Sequence, residues 1–183
     1  MRSGFVLATI LLIGLGFACR LFNYPPNFSP LGAIALFTGF YFFRRWSLLV
    51  PVIILAASDI FIGFYDWRLM ASVYVSFILI SLIGTLLKKY SRWWSVGFGA
   101  IMGSLSFFII TNLAFWYFGG FYPLTLAGLG SCFTLAIPFF KNTLIGDLFF
   151  TTVFFGLYSL VPYLLEVKGG TKRLAELELP KKM

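Results

Sequence analysis

Apolar residues fall in long unbroken blocks, at about Gly4–Cys19, Leu31–Phe43, Ser47–Tyr65, Leu69–Leu87, Trp93–Phe118 and Leu144–Glu166. A further block, Thr125–Phe140, lies between the last two. The blocks are continuous rather than alternating, so they predict helices that cross a bilayer and not the strands of a barrel. A crossing helix needs about 20 residues, or 17 at the short end. Leu31–Phe43 is short, but Phe28–Pro30 can lengthen its crossing and the bilayer can thin around it. Thr125–Phe140 is also short, and Pro138 sits near its end.

The polar break between the first two blocks reads NYPPNFSPLGA, residues 23–33. Pro25 and Pro26 fix φ and favour an extended path. Ser29 is a candidate cap, with Pro30 opening the second helix. As a loop it reads either as a rigid turn that starts a short span or as a pre-ordered lid, with Asn23 and Asn27 turned toward whatever lies beneath.

The charges orient these blocks. With the N-terminus inside, the inside loops carry Arg44 and Arg45, then Lys88, Lys89 and Arg92, and the tail carries Lys168, Lys172, Arg173, Lys181 and Lys182. The outside connections carry Arg20, Asp66, Arg68 and Lys141. Basic residues thus concentrate on one side, as the positive-inside rule requires. The expected fold is an all-α membrane protein of about six transmembrane helices with both termini cytoplasmic. Gly119–Thr143 is expected as a re-entrant or surface segment outside. Seven spans is the alternative, and it would put the basic tail outside. Residues 1–167 read as one transmembrane domain and 168–183 as a short cytoplasmic tail.

Composition agrees. The chain has 183 residues, of which 60% are hydrophobic, 21% aromatic and 11% charged, with a mean hydropathy of +0.95. Soluble domains carry roughly 25% charged residues, so lipid is the solvent for most of this surface. The localisation expected is multi-pass in the inner (plasma) membrane. The net charge of +8 sits in short clusters between apolar blocks, which argues for orientation signals and against nucleic acid. Met1-Arg2 and the block after it imitate a signal peptide, and an uncleaved first helix is the better reading. There is no histidine, which excludes histidine triads, His-ligated haem and most zinc sites. Cys19 and Cys132 are too few and too far apart for a metal knuckle. No cofactor is expected. Cys132 is read as a packing residue, with ligation of a soft metal centre as the alternative.

Ionisable groups inside apolar blocks are costly and point to function. Asp59 and Asp147 are the two such groups, and Asn112 is the main neutral one. Counting residues puts Asp59 and Asn112 each about 9 Å, and Asp147 about 5 Å, below the outer ends of their spans. All three are thus expected in the outer half, beneath loops that carry Asn23, Asn27, Lys141 and Asn142. Together these seven residues form the candidate binding set of an outward pocket. Each has a plainer reading: Asp147 can complement its own helix dipole or pair with Lys141, and Asp59 can bond Asn112 as inter-helix glue. Tyr65, Trp67, Trp116, Tyr117 and Tyr122, with Trp46, Tyr90, Trp93 and Trp94, read as interface belts. Gly14, Gly16 and Ala18, with Gly97 and Gly99–Gly103, permit close helix approach.

NFSPLGAIALFTGFYF, Ser58-Asp59, Thr111-Asn112 and YPLTLAGLGSCFTLAIPFFKNTLIGD together resemble an uncharacterised family of small bacterial integral membrane proteins. The resemblance covers most of residues 20–152. The layout in turn is similar to the substrate-binding S components of energy-coupling-factor vitamin transporters. That likeness implies six helices with both ends inside and an outward pocket covered by the loops after the first and fifth helices. It also implies a small-residue face on the first helix that docks to a transmembrane coupling subunit served by ATPases. Here Gly14-xxx-Ala18 stands where that face has a pair of alanines. The chain has no phosphate-binding loop of its own, so any ATP use falls to a partner. The function expected is binding and uptake of a small, vitamin-like molecule, without enzymatic activity. The alternatives are a structural or assembly subunit, and an intramembrane enzyme with Asp59 and Asp147 as an acid–base pair.

Overall fold

A computed structural model describes residues 2–22, 25–42, 44–90 and 93–177. Six α-helices account for nearly all of it: α1 Arg2–Leu21, α2 Leu31–Tyr41, α3 Arg44–Ile62, α4 Trp67–Leu87, α5 Trp93–Phe118 and α6 Leu126–Leu177. A short 3₁₀ turn, Lys88–Tyr90, follows α4. Among the described residues there is no strand. The chain is an all-α membrane protein: four helices are long and apolar enough to cross a bilayer, and two shorter apolar ones, Ile10–Leu21 and Leu31–Tyr41, accompany them. Its outer surface is apolar, with Ile10, Phe61, Phe98 and Leu126 largely exposed, as a lipid-facing surface must be.

The helices form an arc, α1 on α3, α3 on α4, α4 on α5 and α5 on α6, with α2 held in its concave side against α3, α4, α5 and α6. Nine of the eleven residues of α2 are buried. In lipid, apolar helices gain nothing by hiding from water, so close packing must hold them together. The α2 sequence LGAIALFTGFY is rich in small residues for that reason. At Gly39 a Cβ would collide with the Ser81 carbonyl of α4, and at Gly84 with the Leu36 carbonyl of α2. The two backbones touch there, and the Thr85 hydroxyl donates to Gly39 O at 3.2 Å.

Proline in α3 is handled in the same way. Pro51 lies inside the helix and has no N–H for the carbonyl of Ser47. The buried Thr38 hydroxyl of α2 lies 3.3 Å from that carbonyl, sharing its proton with Ile34 O at 2.9 Å and Ala35 O at 3.2 Å.

One part of the expected layout changes. Thr125–Phe140 is not a separate re-entrant or surface piece; from Leu126 onward it is the first part of α6. Only residues 119–125 connect α5 to α6, turning at Gly120 with φ of 72°. Trp116 Nε1 donates to Pro123 O at 3.1 Å and ties this turn down. The early part of α6 packs along α5 through the ring pairs Phe108–Phe133 and Phe108–Phe140. The helix also continues past residue 167, into the expected tail.

Candidate functional site

α2 is 11 residues long, about 16 Å, whereas α5 with 26 residues reaches about 39 Å. The chain enters α2 through residues 25–30, which reach the middle of the bundle. Phe28 lies against Phe149 and Phe150 of α6. The Asn142 amide donates to Pro26 O at 3.0 Å. Asn27 turns the chain with a φ of 66°, a left-handed conformation that Asn tolerates better than most residues.

Asp147 stands at the start of α2. Its carboxylate accepts from Ser104 Oγ at 2.6 Å and from the backbone N–H of Ala33, and it is 4% exposed. A Cβ at Gly32 would collide with Asp147 Oδ1, so only glycine lets the helix end come this close. Ser29 Oγ lies a weak 3.4 Å from the Leu31 N–H, and Pro30, the N-cap itself, makes no side-chain cap bond. The cap foreseen at Ser29 is thus supplied mainly by Asp147, from another helix. At the other end of α2, Lys88 Nζ donates to Phe42 O at 2.6 Å. A short buried helix thereby has a carboxyl group at its positive end and a lysine amine at its negative end.

The depth expected for Asp147 is corrected by the continuity of α6. Asp147 lies about 31 Å along α6 from Leu126, level with Ser104 in the middle of α5. It is not near the start of its span, and it complements the dipole of α2 rather than its own. It makes no ion pair with Lys141, which is exposed.

Asp59 also has partners other than those foreseen. It is 1% exposed, pairs with Arg20 at 2.6 Å and accepts from the Tyr74 hydroxyl at 2.9 Å. It thus joins α1, α3 and α4. The Tyr65 phenol lies close enough that burial, and then the Asp59 carboxylate, push its pKa up. Asn112 does not bond Asp59; its amide donates to Phe108 O of its own helix at 2.7 Å. Asp59 and Asp147 thus engage different partners on different helices. Asn23 lies outside the described residues.

Where α2 stops short, a cavity of about 370 Å³ remains between α4, α5 and α6. It runs from Tyr65 and Phe115 down to Phe107, with Phe108 and Phe140 in its walls. Asn27, Tyr65, Ser72, Thr111, Asn112 and Thr143 supply its polar groups. Of these, Tyr65, Ser72, Thr111 and Thr143 are absent from the binding set expected from the sequence. A smaller space of about 50 Å³ shares Asn27, Phe107 and Thr143 with it and reaches Asp147. The structure therefore gathers Asn27 and Asn112 on one cavity, while Asp147 lines only the smaller space beside it. Asn142 supports the loop from behind, and Asp59 and Lys141 do not line either space.

The serine and threonine hydroxyls have a common polarity. Ser72 donates to Leu69 O (2.7 Å), Thr111 to Phe107 O (2.8 Å) and Thr143 to Phe139 O (3.0 Å). Each directs its only proton into its own helix, so the lone pairs remain as acceptors. The described residues lining the main cavity include no Asp, Glu, Lys or Arg. Cys132, 2% exposed, lies with its sulfur 3.6 Å from Asn112 O. Among the described residues no three His, Cys, Asp or Glu side chains group as metal ligands.

No curated protein and no solved structure matches the chain. A family model does match, over residues 2–168, and on that extent the chain belongs to DUF6580, a family of unknown function.

Proposed function

We propose that this protein is the substrate-binding subunit of an uptake system, multi-pass in the inner membrane with its Tyr65 end outward. The cavity left by the half-length α2 holds the ligand. The observation that carries this reading is the convergence of Asn27 and Asn112 on an aromatic-walled space of about 370 Å³, a size and lining typical of small-molecule sites.

The chemistry of the walls narrows the ligand. Uncharged walls favour a neutral molecule, because an ion would enter the site without a counter-charge. The acceptor oxygens of Ser72, Thr111, Thr143 and Asn112 favour ligand N–H or O–H donors. The Phe107, Phe108, Phe115 and Phe140 rings favour a flat body. Energy for movement would come from a transmembrane coupling subunit and its ATPases. The enzyme reading draws no support from the two carboxylates, since each is held by partners of its own.

The test is to purify the protein in detergent and identify co-extracted small molecules by mass spectrometry, for wild type and Asn112→Leu. A neutral, donor-bearing compound held by wild type and lost from the variant supports the proposal. Identical extracts from two equally folded proteins would overturn it.

A further inference from the structure

The Lys88 end of the bundle holds a larger cavity, of about 830 Å³, between α2, α5 and α6. It shares no lining residue with the two spaces above. Tyr41, Trp93, Trp94 and Phe155 give it aromatic walls, and the exposed Phe98 and Ile101 open it to the lipid-facing side. Its described lining residues include no Asp, Glu, Lys or Arg.

Thr151, 3% exposed, belongs to this wall. Its Oγ1 is the one buried side-chain nitrogen or oxygen without a hydrogen-bond partner among the described residues. Neighbouring hydroxyls differ: Thr152 donates to Leu148 O at 2.8 Å and Ser159 to Gly156 O at 2.7 Å. Thr151 therefore keeps a free proton. The residue that carries it stands in the cavity wall.

We infer that this cavity binds a neutral, ring-bearing lipid of the isoprenoid-quinone type. A ring carbonyl accepts the Thr151 proton, the ring lies among Trp93, Trp94 and Phe155, and the tail leaves between α5 and α6. Three observations select this class. The free donor requires an acceptor on the ligand. The uncharged walls exclude an ionic headgroup. Depth excludes the ester carbonyls of phospholipids: Thr151 lies one turn past Asp147, which pairs with Ser104, and so about 10 Å inward from Trp93. That is within the hydrocarbon region rather than at its edge. The site is independent of the one at the Tyr65 end.

The test titrates decylubiquinone into the detergent-purified full chain and follows tryptophan fluorescence. Thr151→Val keeps the shape and removes the proton. Gly97→Leu fills the space, since a Cβ at Gly97 meets nothing within 4 Å. Saturable quenching is expected in wild type. Its Kd should rise about three- to tenfold in Thr151→Val, the effect of one neutral hydrogen bond, and saturation should vanish in Gly97→Leu. Quenching that is linear and equal in all three proteins overturns the inference. So does saturable binding that Thr151→Val leaves unchanged, which would mean an apolar chain alone fills the cavity. Should Thr151→Val not fold, Gly97→Leu decides: saturable binding retained there overturns the site.

Discussion

Asp147 and Gly32 share one position in space: the carboxylate lies where a side chain on residue 32 would have to be. The start of α2 can approach Asp147 only because residue 32 has no Cβ. Gly32→Ala should therefore lower stability by about 1–3 kcal/mol, the usual cost of overpacking. The penalty should shrink in an Asp147→Ala background, where the colliding atoms are gone. Thermal unfolding of the two single variants and the double variant reads this coupling, and additive losses would refute the contact.

Arg20 and Asp59 form the polar tie between α1 and α3. Removing one partner leaves the other charge in an apolar setting, so Asp59→Leu alone should cost about 3 kcal/mol. The paired replacement Arg20→Met with Asp59→Leu should recover much of that loss. Unfolding midpoints of the three variants, compared in one detergent, provide the check.

Gly39 and Gly84 differ from Gly14 in what a side chain would meet. At the first two it would strike backbone of the opposite helix, and at Gly14 it meets nothing within 4 Å. Gly39→Ala and Gly84→Ala should each destabilise by about 1–3 kcal/mol. Gly14→Ala should be neutral or stabilise by up to about 1 kcal/mol, as alanine does inside helices. Equal effects at all three positions would contradict the close α2–α4 crossing.

Lys88 closes the opposite end of α2 by donating to Phe42 O. Lys88→Met keeps most of the apolar stem and removes the cation, with an expected loss of about 1 kcal/mol. Lys89→Met, one residue along and without a bond to α2, should be silent by comparison in the same unfolding assay.

The helices were legible where apolar blocks had charged or proline-rich borders, and the border of α6 misled for a physical reason. Lys141 and Asn142 look like a loop between two apolar blocks. Lysine, however, can hold its charge outside the bundle from within a helix, and Asn142 finds Pro26 O across the gap. Helical bonding simply continues through both residues. Asn27 and Asn112 could be placed at the cavity because topology and depth alone bring them near each other. The partners of the carboxylates could not. Asp147 meets α2 through a contact between distant parts of the chain, and residue spacing carries no record of it. Arg20 and Asp59 left a faint signal: each lies within the last turn of a helix running the same way.

The two-ended bonding of α2 has a consequence for biogenesis. Eleven residues are too few to be inserted as a span in their own right. The groups that satisfy its ends, Lys88 and Asp147, belong to parts of the chain made later. Until those parts enter the bilayer, the ends of α2 lack these partners. Its docking is a late folding event, completed after α4 and α6 are in the bilayer, and the cavity at the Tyr65 end comes into being only at that step.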